Sequence, residues 1–302
     1  MAGNGRRWTR WTAVLLGAAT FFALPGIATA RLSSESSSTT IASLQNGTAT
    51  AKCGSGKTAV AGGFAAPGFD PTADTGPTIL TYASARPNDG KWRASGHNYA
   101  NPQMMRPKGS PGAGPISAYV YCDKNDPSVT VRSKSTTLSR GQHATLTPKC
   151  PKGREAVSGG FQSDAPTPDS QDFTDYVYTS KRSGDRAWKV GAVDIDASPH
   201  KVTAFAYCEK QAPDLVSRST KQTISTGPMA GTATIKAKCP KGGKAFSGGY
   251  KSTFEQATLG FTTSIAFTSK RSEGQSWKVA ALAAVLNSTG APTEKAIVYC
   301  TT

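Results

Sequence analysis

Hydrophobic and polar residues alternate with a period of two along much of this chain. The alternation runs through 177–181 and again through 188–192. The segment 202–208 is rich in β-branched and aromatic residues, which favour strands. Clusters of Gly, Pro, Asn, Asp and Ser, such as 86–90 and 182–185, separate these segments and are typical of turns. Since no segment keeps a helical period over three turns, the pattern predicts an all-β chain of short antiparallel strands.

The strand pattern occurs three times along the chain at matching spacings. Each copy opens with a cysteine, and the first glycine of a Gly-Gly-aromatic run follows nine residues later. A tryptophan stands 38 or 39 residues after that cysteine, and each copy closes with Tyr-Cys. The three sets are Cys53, Trp92 and Cys122; Cys150, Trp188 and Cys208; and Cys239, Trp277 and Cys300. This agreement predicts three copies of one structural unit.

We therefore predict three β modules, at 31–126, 127–212 and 213–302. Each module is expected to be a small antiparallel sandwich or barrel. The modules could follow one another as separate beads, or they could form a pseudo-threefold assembly such as a β-prism. The short, strand-like linkers favour stable contacts between modules.

The first thirty residues have the features of an export signal. Arginines near the start precede an apolar run at 13–24, and 28–30 reads Ala-Thr-Ala, an A-x-A cleavage pattern. The apolar run is too short to span a bilayer, and no later segment is longer. We expect 1–30 to be removed and the mature chain to be secreted, with no transmembrane anchor.

Six cysteines in an exported chain indicate disulfide bonds. If each repeat is self-contained, the expected pairs are Cys53–Cys122, Cys150–Cys208 and Cys239–Cys300. Each bond would close a loop of about sixty to seventy residues and contribute about 4 kcal/mol. The chain has no C-x-x-C pair, and the histidines do not lie near the cysteines at equivalent positions. We therefore expect no metal and no cofactor.

The order Cys-Pro-x-Gly, Gly-Gly-aromatic, Ser-x-Arg, Trp and Ala-x-x-Tyr-Cys resembles repeats of secreted actinobacterial proteins of unknown function. The resemblance covers nearly all of 40–302. It implies export and a disulfide-closed β fold, and it implies no activity. The first repeat departs from the pattern, because Gly54 stands where the other two repeats have proline.

The chain is strongly basic, with a formal net charge of +16 at pH 7. The third repeat is the most basic, with 11 Lys and Arg residues against 4 acids. This charge favours polyanionic partners, such as teichoic acid, acidic polysaccharide, anionic lipid or nucleic acid, and solubility alone is the alternative. The lysines are scattered among the predicted strands and are not gathered on a helix or an aromatic platform. We therefore expect no specific nucleic-acid interface.

An arginine lies six residues before each tryptophan, with a turn between them. An exposed tryptophan beside an arginine would stack on a sugar ring and contact its acidic groups. The alternative is that each tryptophan anchors the core beside the disulfide. The candidate ligand-binding residues are Trp92, Trp188, Trp277, Arg86, Arg182 and Arg271.

The sequence contains no recognisable catalytic constellation. The segment 51–58 fits a relaxed phosphate-loop pattern, but no strand–loop–helix context surrounds it. His97, His143 and His200 stand at unrelated places in the repeats, and the chain has no G-x-S-x-G motif. The acidic residues at 164–175 and at 194–196 favour a solvated acidic loop over a calcium site. We therefore expect a protein that is not an enzyme.

Three functions remain open. The first is a secreted, non-enzymatic protein that binds an envelope glycan or another polyanion through repeated modules, with avidity. The second is a structural or assembly protein that docks protein partners through an apolar patch. The third is inhibition of secreted enzymes through a protruding loop, for which 101–115 is the candidate.

Overall fold

The structure is a computed structural model, and the described part of the chain consists of strands, turns and loops. The described residues are 32–67, 77–99, 112–125, 127–169, 175–226, 231–257, 260–286 and 290–302. The predicted export signal lies outside them, as does most of the loop at 101–115. No helix with the length and apolar character needed to cross a membrane is found in the described residues. Residues 31–302 form one compact unit.

Each repeat contributes its strands in the same order. Repeat 1 contains β1 (Ser33–Ile41), β2 (Asn46–Lys52), β3 (Thr58–Ala65), β4 (Thr78–Asn88), β5 (Lys91–Tyr99) and β6 (Gly114–Asp123). Repeat 2 contains β7 (Thr130–Leu138), β8 (His143–Leu146), β9 (Glu155–Ser163), β10 (Tyr176–Arg182), β11 (Trp188–Val193) and β12 (His200–Glu209). Repeat 3 contains β13 (Leu215–Thr223), β14 (Thr232–Lys238), β15 (Lys244–Ser252), β16 (Glu255–Ala257), β17 (Gly260–Ser272), β18 (Ser276–Leu286) and β19 (Thr293–Thr301).

The strands form three antiparallel sheets, and each sheet is shared by two repeats. Sheet I has the order β2-β5-β4-β9-β12-β7 and joins repeats 1 and 2. Sheet II has the order β8-β11-β10-β15-β19-β13 and joins repeats 2 and 3. Sheet III has the order β14-β18-β17-β3-β6-β1, with β16 on β17, and joins repeats 3 and 1. The all-β fold with three antiparallel modules is confirmed, and the cyclic sharing of strands corresponds to the pseudo-threefold arrangement.

Two repeats meet in each sheet at the Gly-Gly-aromatic run. In sheet II, Ser180 of β10 pairs with Tyr250 of β15. A Cβ at Gly249 would lie 2.2 Å from the carbonyl oxygen of Ser180, so only glycine lets these two strands approach. The equivalent pairs are Ser84–Phe161 in sheet I and Ser269–Phe64 in sheet III.

The aromatic residue of the same run fills the centre of the molecule. The ring of Phe64 lies 6.0 Å from Phe161 and 6.4 Å from Tyr250, centroid to centroid, in edge-to-face contacts. All three side chains are buried, and each comes from a different repeat. The repeats therefore share one core, since none of them contains a complete sheet of its own.

Each disulfide joins two sheets within one repeat. Cys150 follows β8 of sheet II, and its partner Cys208 lies in β12 of sheet I. The other two bonds are Cys53–Cys122, between sheets I and III, and Cys239–Cys300, between sheets III and II. One disulfide per repeat was predicted, and its place between sheets explains how a unit without its own sheet is held closed.

Candidate functional site

The three tryptophans considered as ligand platforms lie in the core. Trp92, Trp188 and Trp277 each expose 1% of their surface. In repeat 2, a Cβ at Gly159 would lie 2.2 Å from the ring of Trp188, whose Nε1 donates a hydrogen bond to Ser180 Oγ at 3.0 Å. The other two tryptophans make the same contacts. A ligand that stacks on an aromatic ring has no access to these side chains, so they act as core anchors.

The arginine that precedes each tryptophan is also engaged inside the protein. In sheet II, the backbone N–H of Arg182 donates a hydrogen bond to Tyr299 Oη at 2.7 Å. Its guanidinium pairs with Glu155 at 2.7 Å and with Asp185 at 3.4 Å. The positive charge of Arg182 is thus balanced by two carboxylates of its own repeat.

The two equivalent arginines differ in how their side chains are held. The Arg86 guanidinium pairs with Asp89 at 2.8 Å, and only 1% of the side chain is exposed. Arg271 lies over the ring of Tyr121, with its central carbon 4.4 Å from the ring centroid. Because the tryptophans are buried and the arginines are engaged, the exposed Trp–Arg pair required for sugar stacking is not formed in any repeat.

The histidines occupy three different settings. His97 is fully buried, with Nδ1 3.0 Å from Asn46 Oδ1, and burial lowers the pKa of His97 to about 4. His200 lies 3.5 Å from Asp194 and 3.6 Å from Asp196. The third histidine, on β8, is exposed. The three histidines thus differ in burial and in partners, and two of them are buried in strands.

The acidic loop of repeat 2 does not converge on one point. Asp164 accepts a hydrogen bond from a backbone N–H of β12, and Asp169 accepts one from a glutamine of repeat 1. Asp175 is buried and accepts a hydrogen bond from Ser163, and burial raises the pKa of Asp175 to about 6. Asp172 lies outside the described residues. Among those that are described, no group of three possible metal ligands is found.

The segment that fits a phosphate-loop pattern connects two strands. β2 ends at Lys52 and β3 begins at Thr58, and Lys57 Nζ donates a hydrogen bond to Ser33 Oγ at 3.1 Å. A phosphate loop leads into a helix whose N-terminus faces the phosphate. A strand takes the place of that helix here.

Five lysines form a continuous row across the outer face of sheet II, which we call the lysine row. They are Lys221, Lys295, Lys251, Lys181 and Lys189, in order from β13 to β11. Strand register places Lys295 directly opposite both Lys221 and Lys251, and Lys181 directly opposite Lys189. Between these two groups the row steps by two residues, because Lys251 lies opposite Thr179. Directly opposed residues share one face of a sheet. The row crosses four strand spacings and is about 19 Å long.

In the described residues, no strand of sheet II places an acidic side chain on the face that carries the lysine row. Glu294 is the only acid in the six strands of sheet II, and it is buried on the opposite face. None of the ion pairs among the described residues involves a lysine of the row. Partial burial and repulsion by three other lysines of the row lower the pKa of Lys181. The row is therefore a concentration of positive charge that a bound anion would relieve.

Sheets I and III lack lysine at three of the five equivalent positions, although sheet III has Lys270 and Lys278 at the places of Lys181 and Lys189, and sheet I has Arg93 at the place of Lys189. The residues Lys221, Lys295 and Lys251 correspond to Ser135, Thr203 and Gln162 in sheet I and to Ser38, Ser117 and Ala65 in sheet III. The same fold thus forms without lysines at these places. Their concentration on one face is a property of sheet II and is not needed to build the sheet.

A cleft of about 280 Å³ opens beside the lysine row, where repeats 2 and 3 meet. Lys181 and Lys295 stand at its edge, and Ser217 and Ser219 of β13 supply hydroxyl groups. Ile297 forms part of an apolar floor and is only 5% exposed. Cations, hydroxyls and an apolar floor therefore occur together at one place on the row.

No model of a protein family matches the chain, and no curated protein matches it. The likeness of the repeat motif to secreted actinobacterial repeats stays a prediction.

Sequence reasoning missed the lysine row. Its members lie between positions 181 and 295, on five different strands, so they look scattered along the chain. The one available signal was the excess of basic residues in repeat 3, which contributes Lys221, Lys251 and Lys295. Strand order and register were needed to place these residues on one face.

Proposed function

We propose that the protein is a secreted, non-enzymatic binding protein that holds an anionic polymer outside the cell. The ligand would be an acidic envelope glycan or a similar polyanion, lying across the outer face of sheet II. The lysine row is the observation that carries this proposal, because five like charges on one face of a sheet, with no acid from its strands on that face, favour a chain of negative charges. The repeats differ at these positions, so we assign binding to one face and not to three equal sites.

Secretion is supported by two independent features. The A-x-A pattern at 28–30 is typical of a cleaved export signal. The three disulfides suit an oxidising compartment. N-terminal sequencing of the protein from the culture medium of its host tests this part, and we expect the mature chain to begin at Arg31. A chain that stays inside the cell with Met1 intact would refute secretion.

The binding test compares anionic polymers with a neutral polymer of the same kind. We expect the mature protein to bind polygalacturonate and polyphosphate at low salt and to show no binding to neutral dextran. Affinity should fall steeply as salt rises, because binding displaces counterions from the polymer. The polymers should be recovered intact, as a binding protein without catalytic activity requires.

Two charge-matched variants locate the binding face. The triple variant Lys221→Gln, Lys251→Gln and Lys295→Gln removes the three lysines that repeat 3 contributes to the row, and we expect its affinity to fall about tenfold or more. The control carries Arg132→Gln, Lys134→Gln and Lys201→Gln, which remove the same charge from exposed positions on sheet I. Absence of polyanion binding at low salt would refute the proposed function. Equal losses in both variants would refute the assignment to sheet II.

The assembly and inhibitor alternatives have no specific support. A docking role predicted a contiguous apolar patch, and the exposed large apolar residues in the described part of the chain are Val131 and Val285. These two lie on different sheets. The loop considered for an inhibitor, 101–115, falls mostly outside the described residues.

A further inference from the structure

One residue that lines the cleft is smaller in sheet II than its equivalents in the other two sheets. Ile297 of β19 occupies the position held by Phe205 in sheet I and by Tyr119 in sheet III, three residues before the closing cysteine in each case. An aromatic ring covers the outer face at those two places. In sheet II the ring is missing, and the cleft of about 280 Å³ opens there.

Sheet III shows how an aromatic ring at this position contacts the neighbouring lysine. Lys270 is the equivalent of Lys181, since each lies seven residues before the tryptophan of its repeat. The ammonium of Lys270 lies 4.2 Å above the ring of Tyr119 and donates a hydrogen bond to its hydroxyl at 2.9 Å. In sheet II, Lys181 has the same place on the strand, and Ile297 stands where Tyr119 stands in sheet III. The fold thus has room for a six-membered ring with an oxygen substituent next to this lysine.

The cleft lining matches an acidic sugar better than a bare phosphate. Lys181 and Lys295 provide two cations for a carboxylate, and Ser217 and Ser219 provide hydroxyls that bond to sugar hydroxyls. Asp185 also lines the cleft, and its carboxylate accepts hydrogen bonds from sugar hydroxyl groups.

The apolar surface and the volume of the cleft also favour a sugar ring. Ile297 and Tyr299 give an apolar surface for the C–H face of a sugar ring. The volume is below the range of about 300–1,000 Å³ that is usual for drug-sized ligands, and so it suits a single ring.

We propose that this cleft receives one uronic-acid ring of the bound polymer, so that the ligand of sheet II is a polymer of carboxylated sugars. The ring would take the position that Tyr119 occupies in sheet III, with its carboxylate between Lys181 and Lys295. This inference rests on the proposed function, because it names the polymer that the lysine row binds. A ring-free polyanion would use the row alone and leave the cleft empty.

The test fills the cleft with the side chain that the other sheets already carry. Ile297→Tyr reproduces the residue of sheet III, so the fold accepts an aromatic ring at this position. We expect the variant to bind polygalacturonate about 10- to 100-fold more weakly, as the loss of one or two charge-assisted hydrogen bonds implies. Its affinity for polyphosphate, which has no rings, should not change.

A second variant removes one hydroxyl from the cleft lining. Ser219→Val removes a hydroxyl at an exposed position on β13, and we expect it to weaken polygalacturonate binding severalfold and to leave polyphosphate binding unchanged. Phe205→Ile in sheet I is the matched control, because it removes an aromatic ring from a face without the lysine row and should not add binding.

The outcomes separate the two proposals. If the unmodified protein binds both polymers and Ile297→Tyr weakens neither, or weakens both equally, the cleft does not select a sugar ring and this inference is refuted. Binding to the lysine row then still stands. If the unmodified protein binds neither polymer at low salt, the proposed function itself fails.

Discussion

Arg182 of repeat 2 donates its backbone N–H to the phenol oxygen of Tyr299 of repeat 3 at 2.7 Å. The same bond joins the other two pairs of neighbouring repeats, through Arg86–Tyr207 and Arg271–Tyr121, both at 2.7 Å. Each tyrosine precedes the closing cysteine of its repeat, and its ring packs edge-to-face against the tryptophan of the neighbouring repeat. The last motif of one repeat therefore completes the core of another, and this closes the ring of three.

Removing one of these hydroxyls tests the junction. Tyr207→Phe leaves the buried N–H of Arg86 without its acceptor, and we expect the free energy of unfolding to fall by about 1–3 kcal/mol. Urea unfolding of the variant and the unmodified protein measures the difference. A loss below about 0.5 kcal/mol would show that the bond contributes little to holding repeats 1 and 2 together.

The glycine at each junction cannot be replaced without moving the two strands, because its Cβ position is occupied. A Cβ at Gly160 would lie 2.3 Å from the carbonyl oxygen of Ser84, which belongs to the backbone of the neighbouring repeat. Gly160→Ala must therefore push β9 and β4 apart, and we expect a loss of about 1–3 kcal/mol or more. Gly54→Ala is the control, since nothing lies within 4 Å of its Cβ position, and it should change stability by less than about 0.5 kcal/mol. Equal thermal stability of the two variants would contradict the packing argument.

The disulfides make their contribution by tying sheets together. The double variant Cys150→Ala and Cys208→Ala opens a loop with a sequence separation of 58 residues, and we expect a loss of about 4 kcal/mol. Calorimetry should show a single transition at a lower temperature, because residues 31–302 form one compact unit. Two separate transitions would instead show that repeat 2 unfolds by itself.

The buried carboxyl of Glu294 predicts a specific pH dependence. Glu294 accepts a hydrogen bond from Ser264 Oγ at 2.6 Å, and burial raises its pKa from 4.5 to about 8. Below pH 4.5 the group is neutral in both states and has no effect. Between pH 4.5 and about 8 the unfolded chain releases this proton while the folded chain keeps it, so stability falls as pH rises.

Glu294→Gln isolates this effect, because the amide stays neutral at every pH. We expect the variant and the unmodified protein to melt at similar temperatures near pH 4 and the variant to melt higher near pH 8. Glu294→Val should also be tolerated, since Val202 and Ile116 occupy the equivalent buried positions in repeats 2 and 1. A constant difference in melting temperature across this range would show that the carboxyl does not titrate as described.

The candidate site could be predicted only in part. The turn between Arg182 and Trp188 left open whether they sit on adjacent strands or at opposite ends of a hairpin, and the structure pairs them across β10 and β11. Whether the indole faced solvent depended on the strand that packs over it, which carries Gly159 and lies in another sheet. No local pattern around a tryptophan contains that information.

The sequence by itself determined the strands, the three repeats and the cysteines that close them. These features depend on alternation over a few residues and on spacings that recur in each copy, and both can be read from one chain. The tertiary structure decided that β10 of repeat 2 lies beside β15 of repeat 3, and with it the lysine row and the cleft at Ile297. Those features depend on which strands are neighbours and in what register. Backbone hydrogen bonds between strands are the same whatever side chains the strands carry, so the sequence of one strand does not specify its neighbour.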